Sequence, residues 1–270
     1  MMSELGPLRV EPGQPAALDH RDPGSVLGLA DKAAAAAELK KLVAELSVLQ
    51  NHLYAEAKQS LLVVLQGMDA SGKDGTIRRV FTGVNPQGCD VTAFNFPSHG
   101  ELAHDYLWRC HARCPRRGEI GIWNRSHYED VVTVWVRGLI DDERRARRLH
   151  HVRGFEEMLH DEGTAQLKLF LHISHEEQGR RLQQRLDDPE KRWKFDPSDL
   201  VARKQWDQYH EGYEVALTAT STDCSPWYVV PADHKWARDV AVARLLVETL
   251  TKMRPEIPPP LDSLDGIAID

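Results

Sequence analysis

Apolar positions follow two rhythms along this chain. Over residues 31–58, Leu39, Leu42, Val43, Leu46, Leu49 and Leu53 recur at helical spacing among strong helix formers behind Asp31. That pattern predicts a long amphipathic helix packed on a sheet or on another subunit. Residues 61–65 are continuously aliphatic instead, as in a central strand covered on both faces, the usual state of a parallel sheet. Alternation over 89–96 predicts a second strand, and Ile120, Ile122 and Trp123 form a short third within 118–125. Residues 167–173 and 227–230 complete the set.

Helical patterns separate these strands. They cover 101–113, 141–162, a helix opened by Ser174-His175-Glu176-Glu177, one capped by Asp196-Pro197-Ser198-Asp199 and running to about 220, and a last one from 235 to about 253. Residues 131–136 are apolar but follow a strand end so closely that they read as the start of a helix. Strands alternating with helices imply an α/β fold with a parallel sheet, and 270 residues suit one large domain. Residues 1–29, rich in Pro and Gly, read as an extended arm, residues 30–255 as the domain, and residues 256–270 as a Pro-rich tail.

The junction after the first strand changes the picture. G-M-D-A-S-G-K over 67–73 fits seven positions of the phosphate-loop pattern G-x-x-x-x-G-K-[ST]. Gly67 and Gly72 permit the tight turn that aims successive N–H groups at phosphate, with Met68, Asp69, Ala70 and Ser71 between them. Lys73, Asp74, Gly75 and Thr76 open a helix whose positive end faces the anion. Lys73 would reach the transferring phosphates. Asp74 replaces the usual hydroxyl, and Asp69 adds a carboxylate within the loop. Two carboxylates beside phosphate need a cation between, which argues for Mg²⁺, or Mn²⁺, held chiefly by Asp69.

Where the third strand ends, a phosphate-loop enzyme usually carries a metal-linked Asp. This chain has Asn124, then Arg125, with Glu129 the nearest acid. Arg125 is a candidate two-donor phosphate clamp. Arg181 and Arg185, one turn apart, and Lys191 in the following loop suggest a mobile lid over about 175–200. The basic run at 144–148 reads as a solvated or intersubunit face. Arg78, Arg79, Arg113, Arg116 and Arg117 are candidates for a longer cationic track.

Charge and cysteine usage narrow the class. A net charge of -7 argues against a general nucleic-acid binder. Four scattered cysteines are no disulfide scaffold, and Cys110 with Cys114 lacks the second ligand pair of a zinc site. No apolar run approaches the about 18 residues of a membrane span, and no signal peptide is apparent, so a cytoplasmic protein is expected.

Taken together, GMDASGKDGT, GVNPQG, FNFPS, NRSHYEDV, SHEEQ, DPEKRWKF and PWYVVPADHKW resemble the second polyphosphate kinase family, over about residues 50–250. Asn124 with Glu129 resembles its class that phosphorylates both nucleoside monophosphates and diphosphates. The resemblance implies a three-layer α/β kinase fold of the thymidylate-kinase type with a helical lid. It also implies reversible transfer of the terminal phosphate of inorganic polyphosphate to AMP or ADP with Mg²⁺, in a homodimer or homotetramer. By the same resemblance Asp69 orients metal or acceptor, Lys73 stabilises charge, Arg125 is the strand-end arginine, and Arg181, Arg185 and Lys191 are the lid cations. An ATP-dependent nucleoside or nucleotide kinase shares the cradle and is the alternative. A guanine-type nucleotide switch is disfavoured, because no Asn-Lys-x-Asp segment occurs.

Overall fold

The structure, a computed structural model, describes residues 5–260. The tail expected over 256–270 therefore lies outside the described residues from 261 onward. Helix α1 (Lys32–Glu56) starts where the Asp31 carboxylate accepts from Ala34 N, satisfying one of the free amides of a helix start. Strand β1 (Ser60–Gln66) is buried at every position and leads through the glycine loop into α2 (Lys73–Val80). Strand β2 (Cys89–Ala93) is half exposed, as an edge strand can be, and precedes the short helices α3 (His99–Leu102) and α4 (Trp108–His111). Strand β3 (Ile120–Asn124) is followed by α5 (Val132–Val136) and α6 (Asp142–Asp161). Then come β4 (Thr164–His172), α7 (His175–Asp187), α8 (Pro197–Lys204), α9 (Trp206–Thr220), β5 (Trp227–Pro231) and α10 (Lys235–Met253).

All five strands are parallel, in the order β2-β3-β1-β4-β5. The chain leaves β1 toward one side and crosses from β3 to the other, so the carboxyl ends of β1 and β3 flank the crevice where such sheets take ligands. Helix α10 packs on α1, α2 and the sheet, whereas α5 and α6 pack with α9 and α6 also meets β4. Helices on both faces of the sheet give the three-layer α/β architecture, with a core running from Leu46 and Leu53 through β1 to Leu246 and Leu250.

Residues 5–29 lie along the other edge of the sheet. Val10 N donates to Trp227 O at 2.8 Å, and the Glu214 carboxylate accepts from Ala17 N and Leu18 N at 2.8 and 2.9 Å. The arm is not uniformly extended: it carries 3-10 turns at Gly6–Leu8 and Leu18–His20, and buried Leu8, Val10, Ala16 and Leu18 seat it on the domain.

Three sequence boundaries move. The helix expected over 101–113 is two short ones, because Asp105 Oδ1 accepts from Leu107 N and Trp108 N and restarts the chain. The helix expected from 196 to about 220 divides at Gln205, whose φ of -98° and ψ of 24° leave the α region; α8 thus faces the lid while α9 buries Tyr213. The second strand stops at Ala93, short of Phe96, which is exposed at the crevice.

Candidate functional site

Glycine is needed at both ends of the loop for a steric reason. Gly67 has φ +146°, and a Cβ there would lie 2.7 Å from Leu171 O; Gly72 has φ +106°, and its Cβ would lie 1.9 Å from the Arg238 guanidinium. Between them Ala70 takes φ +64° and Ser71 N closes a turn on Met68 O at 3.1 Å. The buried Lys73 ammonium curls over this turn, donating to Gly67 O at 2.7 Å and Met68 O at 3.4 Å, which leaves one of its three N–H groups for a ligand. Burial, then Arg125, holds the Lys73 pKa below its ordinary value against the pull of Asp69, Glu129 and Asp74.

The end of β3 meets the loop through two pairs. Asn124 Nδ2 donates to Asp74 Oδ1 at 2.7 Å, and Arg125 Nη2 to Asp69 Oδ1 at 2.9 Å. Burial alone would lower the Arg125 pKa, but Glu129 and Asp69 raise it overall. Burial would likewise raise Asp74, yet the Asn124 bond and the Lys194 and Lys73 charges leave its carboxyl below the ordinary value. Arg125 sits at φ +63°, a costly conformation for a side-chain-bearing residue that persists only where the surroundings hold it. Part of that hold is its own amide, which donates to Leu65 O at 3.0 Å at the end of β1.

Above the loop, α7 and α8 close over the crevice. Arg185 Nη1 meets Asp199 Oδ2 at 3.1 Å, and Lys194 Nζ approaches Asp74 Oδ2 at 3.8 Å. Burial, reinforced by Asp69, pushes the Asp199 carboxyl up to about 6 against the pull of Arg185. Lys191 lines the same crevice from the exposed loop, paired with Asp188. Trp193, 78% exposed, and Phe96 present aromatic faces at the mouth.

The whole crevice is about 1450 Å³ and gathers most of the residues expected from sequence: Gly67, Met68, Asp69, Ala70, Gly72, Lys73, Asp74, Gly75, Asn124, Arg125, Glu129, Arg185 and Lys191. Three expected ligand contacts change character. Ser71 is buried, and it is its carbonyl that is engaged, by Arg181 and Arg238, each at 3.0 Å. The Thr76 hydroxyl turns inward to Gly72 O and Asp239 Oδ1, at 3.2 and 3.4 Å. Arg181 borders the crevice, but its five N–H groups go to Glu177 Oε1, Ala70 O, Ser71 O, Ala232 O and Asp233 O. A guanidinium has five donors, so Arg181 is a strut joining α7 to the loop.

The cationic track is also redrawn. Arg78 and Arg79 border the crevice, whereas Arg113, Arg116 and Arg117 do not, and Arg116 pairs with Glu119. Arg137, Arg144 and Arg148 take their place, so the basic run on α6, read from sequence as a solvated or intersubunit face, turns two arginines inward. Sequence reading also missed Asp199, Lys194, Arg238 and Asp239. The first two stood in segments read as a helix cap and a lid loop; the last two carry no motif at all.

Asp69 and Asp74 are the carboxylates that the loop and the start of α2 bring to the crevice, and so the candidates for holding a divalent cation. Among the described residues no group of three His, Cys, Asp or Glu side chains gathers closely enough to cage one. A pair of carboxylates is a donor set of the kind that holds Mg²⁺ together with waters and substrate phosphates. Among the described residues no helix is long and apolar enough to cross a membrane.

Strand, glycine loop, buried lysine and helix at the switch point of a parallel sheet define a phosphate-loop protein of the kinase type. The chain belongs to the polyphosphate kinase 2 (PPK2) family, whose profile matches residues 29–258. It is 50% identical over 263 residues to an AMP/ADP-polyphosphate phosphotransferase of Meiothermus ruber, covering 97% of this chain and 98% of that one. An ADP-polyphosphate phosphotransferase of Rhodopseudomonas palustris is 43% identical over 82% of this chain and 80% of its own. The crystal structure of polyphosphate kinase 2 from Arthrobacter aurescens TC1 superposes with a TM-score of 0.93 at 39% identity, covering 97% of this chain and 94% of that one.

Proposed function

We propose that this protein transfers the terminal phosphate of inorganic polyphosphate to AMP and to ADP, reversibly, giving ADP and ATP. The observation that carries this reading is the charge of the crevice. In a chain of net charge -7, Arg78, Arg137, Arg144 and Arg148 continue beyond Lys73 and Arg125 along the same crevice, more cations than a nucleotide's phosphates alone require. A long polyanion uses such a track; a single nucleotide does not. The names borne by the relatives agree.

Phosphoryl transfer passes through a loose transition state whose catalysis is positioning and charge stabilisation. Lys73 has one ammonium donor left for a transferring oxygen. Asp69 fixes Arg125 by the 2.9 Å contact, so the guanidinium meets phosphate already oriented. The acceptor phosphate is ionised near neutral pH, so no strong base is needed and alignment dominates. Asp69 and Asp74 would hold Mg²⁺, or Mn²⁺, which would supply charge neutralisation to the phosphates. Closure of α7 and α8 excludes water from the transfer. A homodimer or homotetramer belongs to the same reading, exposed Val48 and Tyr54 on α1 being apolar surface a second copy would cover. So does a cytoplasmic setting, which suits four free thiols.

The test is transfer from long-chain polyphosphate to AMP and, separately, to ADP, with Mg²⁺ present or chelated, products being separated by chromatography. Formation of ADP and ATP only with metal is expected. No transfer from polyphosphate, alongside transfer from ATP to another acceptor, would replace the reading by a conventional kinase.

A further inference from the structure

Far from the loop in sequence, α10 sends a buried ion pair against it. Arg238 and Asp239 are each 1% exposed at the side chain. Arg238 Nε and Nη2 donate to Asp239 Oδ1 at 3.0 and 2.6 Å, and Nη1 donates to Ser71 O at 3.0 Å. Asp239 in turn accepts from Thr76 Oγ1 at 3.4 Å and from Arg79 Nη1 at 2.9 Å, both on α2. One dyad thus holds the last carbonyl before Gly72 and two side chains of the helix that follows.

Two arguments separate this from ordinary packing. Taking two charges out of water costs about as much as their attraction returns, so a buried pair is poor support for stability as such. The contact is also so close that only glycine fits beside it: a Cβ at Gly72 would lie 1.9 Å from Arg238 Nη1. A planar trans peptide sends its N–H opposite to its C=O. Holding Ser71 O on Arg238 therefore points the Gly72 N–H away from the dyad, the orientation a phosphate cradle requires of its amides.

We propose that Arg238, backed by Asp239, is a positioning residue for the phosphate loop: it touches no substrate, and it fixes the Ser71–Gly72 peptide and the start of α2 so that amides and Lys73 are aligned before phosphate arrives. The proposal rests on the phosphotransfer reading above, and its test includes a readout that does not depend on which donor is used.

Replacing both partners by apolar residues, Arg238→Met with Asp239→Leu, removes the dyad without leaving a buried unpaired charge, so the melting temperature should stay near that of the parent. If the dyad only packs the fold, activity stays as well. If it positions the loop, kcat falls about 100-fold, the scale of a misplacement near 1 Å, while the nucleotide KM changes by less than about threefold. Calorimetric binding of tripolyphosphate should weaken in the same variant. Arg238→Lys is the second variant, keeping charge and bulk but not the forked donor geometry. It should lose at least about tenfold in kcat at unchanged melting temperature. A folded double variant, or Arg238→Lys where the double variant fails to fold, with kcat and tripolyphosphate affinity both within about threefold of the parent would overturn the proposal. A parent that binds tripolyphosphate but does not transfer from polyphosphate would overturn the donor assignment and leave the binding arm to decide on Arg238.

Discussion

At the scale of single residues, Lys73 shows stability and function pulling apart. Its ammonium is buried, and desolvation outweighs the carboxylates around it, so its pKa is lowered. The fold therefore holds the charged form at a cost, which substrate phosphate relieves on binding. Replacing Lys73 with Met keeps the apolar stem and removes the charge. Turnover should fall by at least about 100- to 1000-fold, the range for deleting one preorganised charge stabiliser, while the melting temperature in phosphate-free buffer stays level or rises. Steady-state kinetics and calorimetry on one preparation check both halves. A variant that melts early and keeps near-normal kcat would make Lys73 structural. Asp69→Ala should resemble it in kinetics, since that change frees Arg125 from its 2.9 Å partner.

At the scale of elements, the lid carries the clearest pH signature. Asp199 on α8 is pushed up to about 6 by burial and by Asp69, with Arg185 pulling the other way. A carboxyl whose folded pKa exceeds its unfolded one binds its proton more tightly when folded. Its stabilising contribution is complete below the unfolded value near 4 and is lost as pH rises through about 6. Asp199→Asn mimics the protonated form. In metal-free buffer it should raise the melting temperature at pH 8 and by only about half as much at pH 5, midway through the window; an equal shift at both would show that Asp199 is not the titrating group. None of this was readable in Asp196-Pro197-Ser198-Asp199, because the same letters announce a helix start, and Asp196 does cap α8. The phosphate loop was legible because its constraints are local: strand, glycines and lysine fall within a few residues. Arg181 was legible as a cation but not as a strut, since its partners Ala232 and Asp233 lie 51 and 52 positions away. Arg238 is 167 positions from Ser71, beyond any periodicity argument.

At the scale of the whole molecule, an acidic chain sequesters a basic crevice. The parallel direction of the strands followed from the burial pattern of β1 and the alternation of elements, but their order, and which arginines converge, did not. The run at 144–148 faces both ways on one helix: Arg147 pairs with Glu143, whereas Arg144 and Arg148 border the crevice. Arg148 is already committed, with its guanidinium over the Tyr106 ring and a bond to Asp130 O; Arg144 is exposed at the wall. Arg144 should therefore act as a pure electrostatic contact with a long donor, distant from the transfer itself. Arg144→Ala should raise the KM for long-chain polyphosphate severalfold at low salt and leave kcat unchanged. Polyanion affinity falls with log salt in proportion to the number of cationic contacts. The difference between parent and variant should accordingly shrink as NaCl rises from about 50 to about 200 mM, within the range where such contacts weaken. A variant with lower kcat at every salt concentration would place Arg144 in the transfer step, and one with unchanged KM at low salt would show that the donor chain does not pass along α6.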